Sequence, residues 1–139
     1  MAEESTTPDL VSRMRQAMEA MNRRDLDATM SIYAPGAIWE VSTIGTSFKG
    51  LAEIRGFMED WFSSYDELKV ELEEVVDFGQ GVTLGVFLQT GRPTGSTGHA
   101  QYRMAQVAVW ADGVIISVTG YNDIDEARAA AERLAEERG

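Results

Sequence analysis

Arg103 and Asn122 stand near the open end of one predicted hairpin, where they form the polar pair best suited to a small-molecule site. Asp112-Gly113 supplies the φ > 0 positions of a type I′ two-residue turn, between flanks rich in Val, Ile, Trp and Tyr. With that turn Ala111 faces Val114 and Arg103 faces Asn122. Side chains alternate between the faces of a strand, so the pairing sorts the hairpin into two surfaces. One carries Val109, Val107, Ala105, Arg103, Ile116, Val118, Gly120 and Asn122. It is apolar at the turn and polar at its far end, the gradient of a pocket with a dry floor and a wet mouth. There Arg103 is expected to donate to a ligand carbonyl, enolate or carboxylate, with Asn122 orienting it. The competing reading is an ion pair between Arg103 and an acid at the sheet end, Asp123 or Glu126. The other surface, with Tyr102, Met104, Gln106, Trp110 and Tyr121, mixes aromatics with small polar groups. It suits a covered sheet face or a subunit contact, and a homodimer through those five residues is expected.

His99 is the only histidine and therefore the candidate general base. It follows the Gly- and Pro-rich segment 91–98, the longest expected connection, and would flank the pocket mouth. A solvated loop histidine is the competing reading. No His-x-His or His-x-x-x-His spacing exists, so no metal site is expected. Glu71, Glu73, Glu74 and Asp77 cluster in sequence, but adjacent strand residues point to opposite faces. Glu73 and Glu74 are thus not expected to chelate together. Glu40 should point away from the face of Trp39, and Asp60 is the other acid near a core element. Gly79-Gln80-Gly81 lies between two strands, which makes it a turn rather than a phosphate loop. Met14, Met18, Met21, Trp39, Phe57, Met58 and Trp61 form an apolar set that either lines an adaptable pocket or packs as solid core. With Val41, Val107, Val118, Gly120 and Asn122 they are the candidate ligand contacts.

The elements that would hold these residues are readable from pattern. Thr7-Pro8-Asp9 predicts a helix start, and Leu10, Met14, Ala17, Met18 and Met21 share one stripe up to about Asn22. Asp25 caps a short helix with Leu26, Met30 and Tyr33 inward, ended by Ala34-Pro35-Gly36. A strand is predicted over 37–41, a brief one around Phe48, and a helix from about Leu51 to Ser64. Another strand spans 67–78, with Val75-Val76 breaking its alternation and predicting a bulge near Glu73-Glu74. A strand over 82–90, the hairpin, and a capped C-terminal helix burying Ala127, Ala130, Ala131 and Leu134 complete the order. An Arg128–Glu132 pair is expected on that helix. Helices first and antiparallel strands after predict an α+β domain, helices on one side of a curved sheet. Residues 1–6 are expected to form a disordered tail and residues 7–139 one domain.

The chain has 139 residues, no cysteine and a net charge of −11. Clustered Lys and Arg are what nucleic-acid and anionic-membrane surfaces require, so neither partner is expected. The start MAEESTTPDL lacks a basic-then-apolar pattern and no apolar run reaches the ~18 residues of a membrane span, which predicts a cytoplasmic protein. No disulfide, thiolate site or cofactor is expected.

Several pieces resemble the SnoaL-like polyketide cyclase group of the nuclear transport factor two-like superfamily. They are Arg24-Asp25-Leu26-Asp27, Ile32-Tyr33-Ala34-Pro35, Ala37-Ile38-Trp39-Glu40-Val41, Gly50-Leu51-Ala52-Glu53-Ile54-Arg55, and the hairpin from Asp112-Gly113 to Tyr121-Asn122-Asp123. The resemblance implies a cone-shaped curved antiparallel or mixed sheet with N-terminal helices on its concave face. The resemblance also implies where relatives keep their chemistry. The proton-shuttling aspartate of ketosteroid isomerases aligns with Val41 and their helix tyrosine with Ala17. Their oxyanion-binding acid falls at Val107 by strand pairing, or at Gln106 by a gapless count. The catalytic acid of limonene-epoxide hydrolases and SnoaL cyclases aligns with Gly120. An apolar side chain takes no proton from carbon, so ketosteroid isomerase activity is rejected. The resulting expectation is a cavity for an apolar polyketide-, terpenoid- or steroid-like molecule, with acid/base chemistry on a carbonyl compound as the candidate reaction, Arg103 its electrostatic stabiliser and His99 its candidate base. The alternative is a non-catalytic dimeric interaction module whose cone is filled by side chains.

Overall fold

The computed structural model describes residues 9–42 and 44–139, so the expected tail and the Thr7-Pro8 helix start lie outside the described residues. Asp9 is the N-cap of α1 (Leu10–Asn22), accepting from the Ser12 amide at 3.2 Å and the Ser12 hydroxyl at 2.9 Å. The stripe Leu10, Met14, Ala17, Met21 is buried, with Ala20 beside it. Asp25 caps α2 (Leu26–Met30) by accepting from Ala28 N–H at 3.1 Å. β1 (Tyr33–Val41) begins earlier than expected and carries Pro35 and Gly36 through an irregularity in its pairing between Tyr33 and Ile38. β2 (Thr46–Lys49), α3 (Leu51–Ser63), β3 (Tyr65–Gly79), β4 (Val82–Pro93), β5 (Ala100–Ala111), β6 (Val114–Tyr121) and α4 (Ile124–Arg138) follow.

The strands form one sheet in the order β2-β1-β6-β5-β4-β3, with β1 parallel to β6 and every other pair antiparallel. β3 is an edge strand, and an open edge exposes unpaired backbone groups. Asn22 at the end of α1 occupies part of that edge. Its amide donates to the Val70 carbonyl at 2.8 Å and accepts from the Val70 N–H at 3.0 Å.

The hairpin turn is as expected, with Asp112 at φ 54° and Gly113 at φ 82°. Trp110 pairs with Ile115, but Val109 pairs with Ser117, so Ile116 bulges out of register. One extra residue inverts the relation between the two strands beyond it. Val118 and Gly120 on β6 face the concave side as expected. On β5 the concave side chains are Met104, Gln106, Ala108 and Trp110, while Arg103, Ala105, Val107 and Val109 face the convex side. The expected pairing of Arg103 with Asn122 is therefore corrected: Ala105 lies opposite Tyr121.

The convex face explains why β5 tolerates this. α4 packs there, placing Ala127 and Ala131 against Val82, Leu84, Ala105 and Val107. Small alanines let the helix approach closely, and apolar surface is buried on both faces of the sheet. The helices therefore sit on both sides of the sheet, α1–α3 on the concave face and α4 on the convex one. The bulge in β3 falls at Glu73, as Val75-Val76 predicted, and turns Glu73 and Glu74 to the same side. Arg103 binds Glu73 through two nitrogens, at 2.7 and 3.1 Å, and Arg128 reaches Glu74 at 3.1 Å rather than Glu132. These pairs lace β3 to β5 and to α4.

The concave core centres on Phe87, Met14, Val70, Trp39 and Trp110. Trp110 is 3% exposed and its indole N–H donates to Thr83 Oγ1 at 2.9 Å. Thr83→Val leaves that N–H without its acceptor, and a loss of about 1–3 kcal/mol is expected in urea unfolding. An unchanged unfolding midpoint would show that the hydroxyl is dispensable. Among the described residues, no helix is long and apolar enough to cross a membrane.

Candidate functional site

The sheet curls around one side, and α3 lies across the opening. Ile54 and Met58 are its fully buried anchors, while Phe57 and Trp61 stay half-buried and face the sheet. Phe57 meets Trp39 edge-on, with ring centres 5.1 Å apart, and stacks on Phe48 at 4.5 Å. Such pairs contribute roughly 0.5–1.5 kcal/mol beyond their buried area and fix ring orientation. Trp39 and Val41 lie beside Val118 and Gly120 in the parallel register of β1 with β6.

Between these elements lies an open cavity of about 400 Å³. Its walls are Trp39, Val41, Phe57, Trp61 and Met104, with Gly120 between them; a Cβ at Gly120 would meet only the Glu40 carbonyl oxygen, at 3.8 Å. The polar side chains facing it are Tyr102, Gln106 and Asn122, while Tyr121 borders it from β6 with its ring on the α4 side. Burial raises the pKa of the Tyr102 phenol, helped by Tyr65, so it is a neutral donor at physiological pH. Among the described residues no carboxylate, imidazole, ammonium or guanidinium lines the cavity. The side chains of Gln106 and Asn122 have no hydrogen-bond partner among the described residues. Tyr102 is already oriented: its hydroxyl donates to Gln89 Oε1 at 3.5 Å, and Gln89, 1% exposed, donates to the Tyr65 hydroxyl at 3.0 Å. Gly91 makes room for Tyr65, since a Cβ there would lie 2.7 Å from the tyrosine ring.

Six of the candidate ligand contacts meet at this cavity: Trp39, Val41, Phe57, Trp61, Gly120 and Asn122. Met14, Met18, Met21 and Val118 instead border a deeper void of about 30 Å³. Met58 is completely buried core, and Val107 lies beneath α4 on the convex face. Arg103 is exposed on that convex face, where Glu73 raises its pKa, and it in turn lowers that of Glu73. An ion pair was the competing expectation, but the partner is Glu73 rather than Asp123 or Glu126. His99 is exposed at the rim of the sheet, 3.5 Å from Glu67, which also binds Arg92. Neither Arg103 nor His99 lines the cavity.

The residues missed were those read as the outer surface. Tyr102, Met104 and Gln106 line the cavity and Trp110 is buried behind it, while Tyr121 packs on the α4 side against Ala105 and Val107. The five residues read as one outer surface thus lie on both faces of the sheet. The gapless count that placed the oxyanion-binding position at Gln106, rather than Val107, was the available signal. The run Ala105, Val107, Val109 also matches the alanine face of the last helix.

Comparison with known proteins bears on this arrangement. Among curated proteins none matches the chain. Solved structures share its fold at low identity. An NTF2-like protein of unknown function from Burkholderia pseudomallei is 17% identical with a TM-score of 0.74, over 90% of this chain and 98% of that one. TerC, co-crystallised with polyporic acid, is 14% identical with a TM-score of 0.72, over 89% and 98%. A candidate SnoaL-like polyketide cyclase from Jannaschia sp. CCS1 is 17% identical with a TM-score of 0.70, over 88% and 91%. The sequence profile of the SnoaL-like domain matches residues 14–118, most of the chain, and so the protein belongs to the SnoaL-like domain family.

Proposed function

We propose that the cone binds a flat, uncharged, mostly apolar small molecule, in the size class of polyketide-, terpenoid- or steroid-like compounds. The observation that carries this reading is the cavity of about 400 Å³ walled by Trp39, Phe57, Trp61 and Met104 with only uncharged polar groups on its surface. That volume exceeds roughly 300 Å³, the lower end for small-molecule sites. Aromatic walls bury a planar ligand at low entropic cost, and Met104 adapts to its outline. TerC, a fold neighbour co-crystallised with polyporic acid, supports the idea that such a cone takes an organic ligand.

The polar group that would orient the ligand is Gln106, on the floor of the cavity, in place of Arg103. An amide donates and accepts hydrogen bonds but takes no proton from carbon, and the lining residues hold no carboxylate or imidazole. The reading is therefore one of binding and desolvation. Titrating the full chain with fluorene, a planar apolar probe, should quench the fluorescence of the cavity tryptophans Trp39 and Trp61 saturably. Arg103→Ala should leave that titration unchanged. Quenching without saturation would remove the cone as a ligand site, and weakened binding in the Arg103 variant would return the convex face to consideration.

A further inference from the structure

Among the described residues, the buried polar side chains are Thr29, Thr83 and Gln89. The fold accounts for two of them. Thr29 donates to the Asp25 carbonyl at 2.8 Å within α2, and Thr83 accepts from the Trp110 indole. Gln89 serves neither a helix nor a core side chain. Its amide nitrogen donates to the Tyr65 hydroxyl at 3.0 Å, and its oxygen accepts from the Tyr102 hydroxyl at 3.5 Å. A leucine would fill that position without giving up hydration, so packing does not explain an amide there.

The two phenols belong to elements that carry different walls of the cavity. Tyr102 stands on β5 directly opposite Gln89 and lines the cavity. Tyr65 opens β3 immediately after Ser64, the C-cap of α3, the helix that bears Trp61. Its ring lies against Gly91, on the same side of β4 as Gln89. Thr94 fixes the same helix end, its N–H donating to the Ser64 carbonyl at 3.0 Å and its hydroxyl to the Ser63 carbonyl at 3.2 Å. Tyr102 is 44% exposed, so water alone would let its ring swing outward. The Gln89 oxygen opposes that motion, because it is sealed from water and has no other donor among the described residues.

We infer that Gln89 is a positioning residue for the ligand site, pinning the Tyr102 ring as a fixed wall and tying it to the end of α3. This deepens the binding reading above and rests on it. A wall held in place before the ligand arrives spares the complex the cost of ordering it.

Fluorene carries no hydrogen-bonding group, so a Tyr102 that merely touched it would bind it no worse as phenylalanine. With the pin lost, Tyr102→Phe should instead weaken fluorene by about threefold, and Gln89→Leu by the same factor. The double variant should also lose about threefold, since all three break one linkage. A lower unfolding midpoint for Gln89→Leu with unchanged fluorene affinity would mark a merely structural amide and overturn the role. Losses that multiply to about ninefold in the double variant would overturn it as well, by showing two independent effects. Should Gln89→Leu fail to fold, Tyr102→Phe decides alone: a threefold loss supports the pin, and equal or tighter binding overturns it. A parent chain that does not bind fluorene saturably overturns the cavity reading and this role together.

Discussion

Gly120→Phe is expected to abolish ligand binding while leaving the protein folded. Gly120 faces the cavity from β6 at an ordinary strand φ, and a Cβ there would meet nothing nearer than 3.8 Å. A phenyl ring would therefore grow into the open volume between Trp39 and Met104 instead of colliding with backbone. Aromatic residues also suit strands better than glycine, so stability should change by no more than about 1 kcal/mol. Fluorene affinity should fall by at least about tenfold, corresponding to about 1.4 kcal/mol. Circular dichroism and thermal unfolding check the fold, and fluorescence titration checks the binding. A folded variant that binds fluorene like the parent would show that the probe does not sit in the cone.

The second large effect is on stability. Phe87 is 1% exposed, lies opposite Leu72 on β3 and Met104 on β5, and joins α1 to the concave face. Its ring sits beside Gly85, where an added Cβ would come within 2.9 Å of it. That crowding leaves little freedom for the surroundings to collapse into a vacancy. Phe87→Ala should cost about 3–5 kcal/mol, the upper range for buried large-to-small changes. Against a total of roughly 5–15 kcal/mol for a domain, this is a large share. Urea unfolding monitored by tryptophan fluorescence measures it. A loss below about 1 kcal/mol would show that the site refills, contrary to the packing described.

How far these features could be read from sequence varied with the kind of signal. Local chemistry was legible: Asp25 and Asp123 act as N-caps, Asp112-Gly113 forms the turn, and Val75-Val76 announced the bulge in β3. The bulge at Ile116 gave no such sign. Val114-Ile115-Ile116 is apolar throughout, so a displaced residue breaks no alternation of polar and apolar positions. β5 offered no correction either, because α4 covers its convex side and both faces are apolar. Alternation reveals which side is inside only where one side meets water. Half of the hairpin was therefore assigned correctly and half inverted, which moved Gln106 and Tyr102 out of the site and Arg103 and Val107 into it. The remaining walls, Trp39, Phe57 and Trp61, came from elements whose stripes have one wet side, and the structure brings all three to the cavity.

The extra residue at Ile116 makes the identity of the cavity floor a matter of counting as well as of chemistry. Removing that one position would let β5 and β6 pair without interruption, and their two sets of side chains could then no longer both keep their present neighbours. Either glutamine would exchange places with valine at the bottom of the cone, or Val118 and Gly120 would turn outward. Related chains differing by a single insertion or deletion in this strand would thus present different interiors from nearly identical sequences, and a gapless comparison across it would misassign every residue beyond.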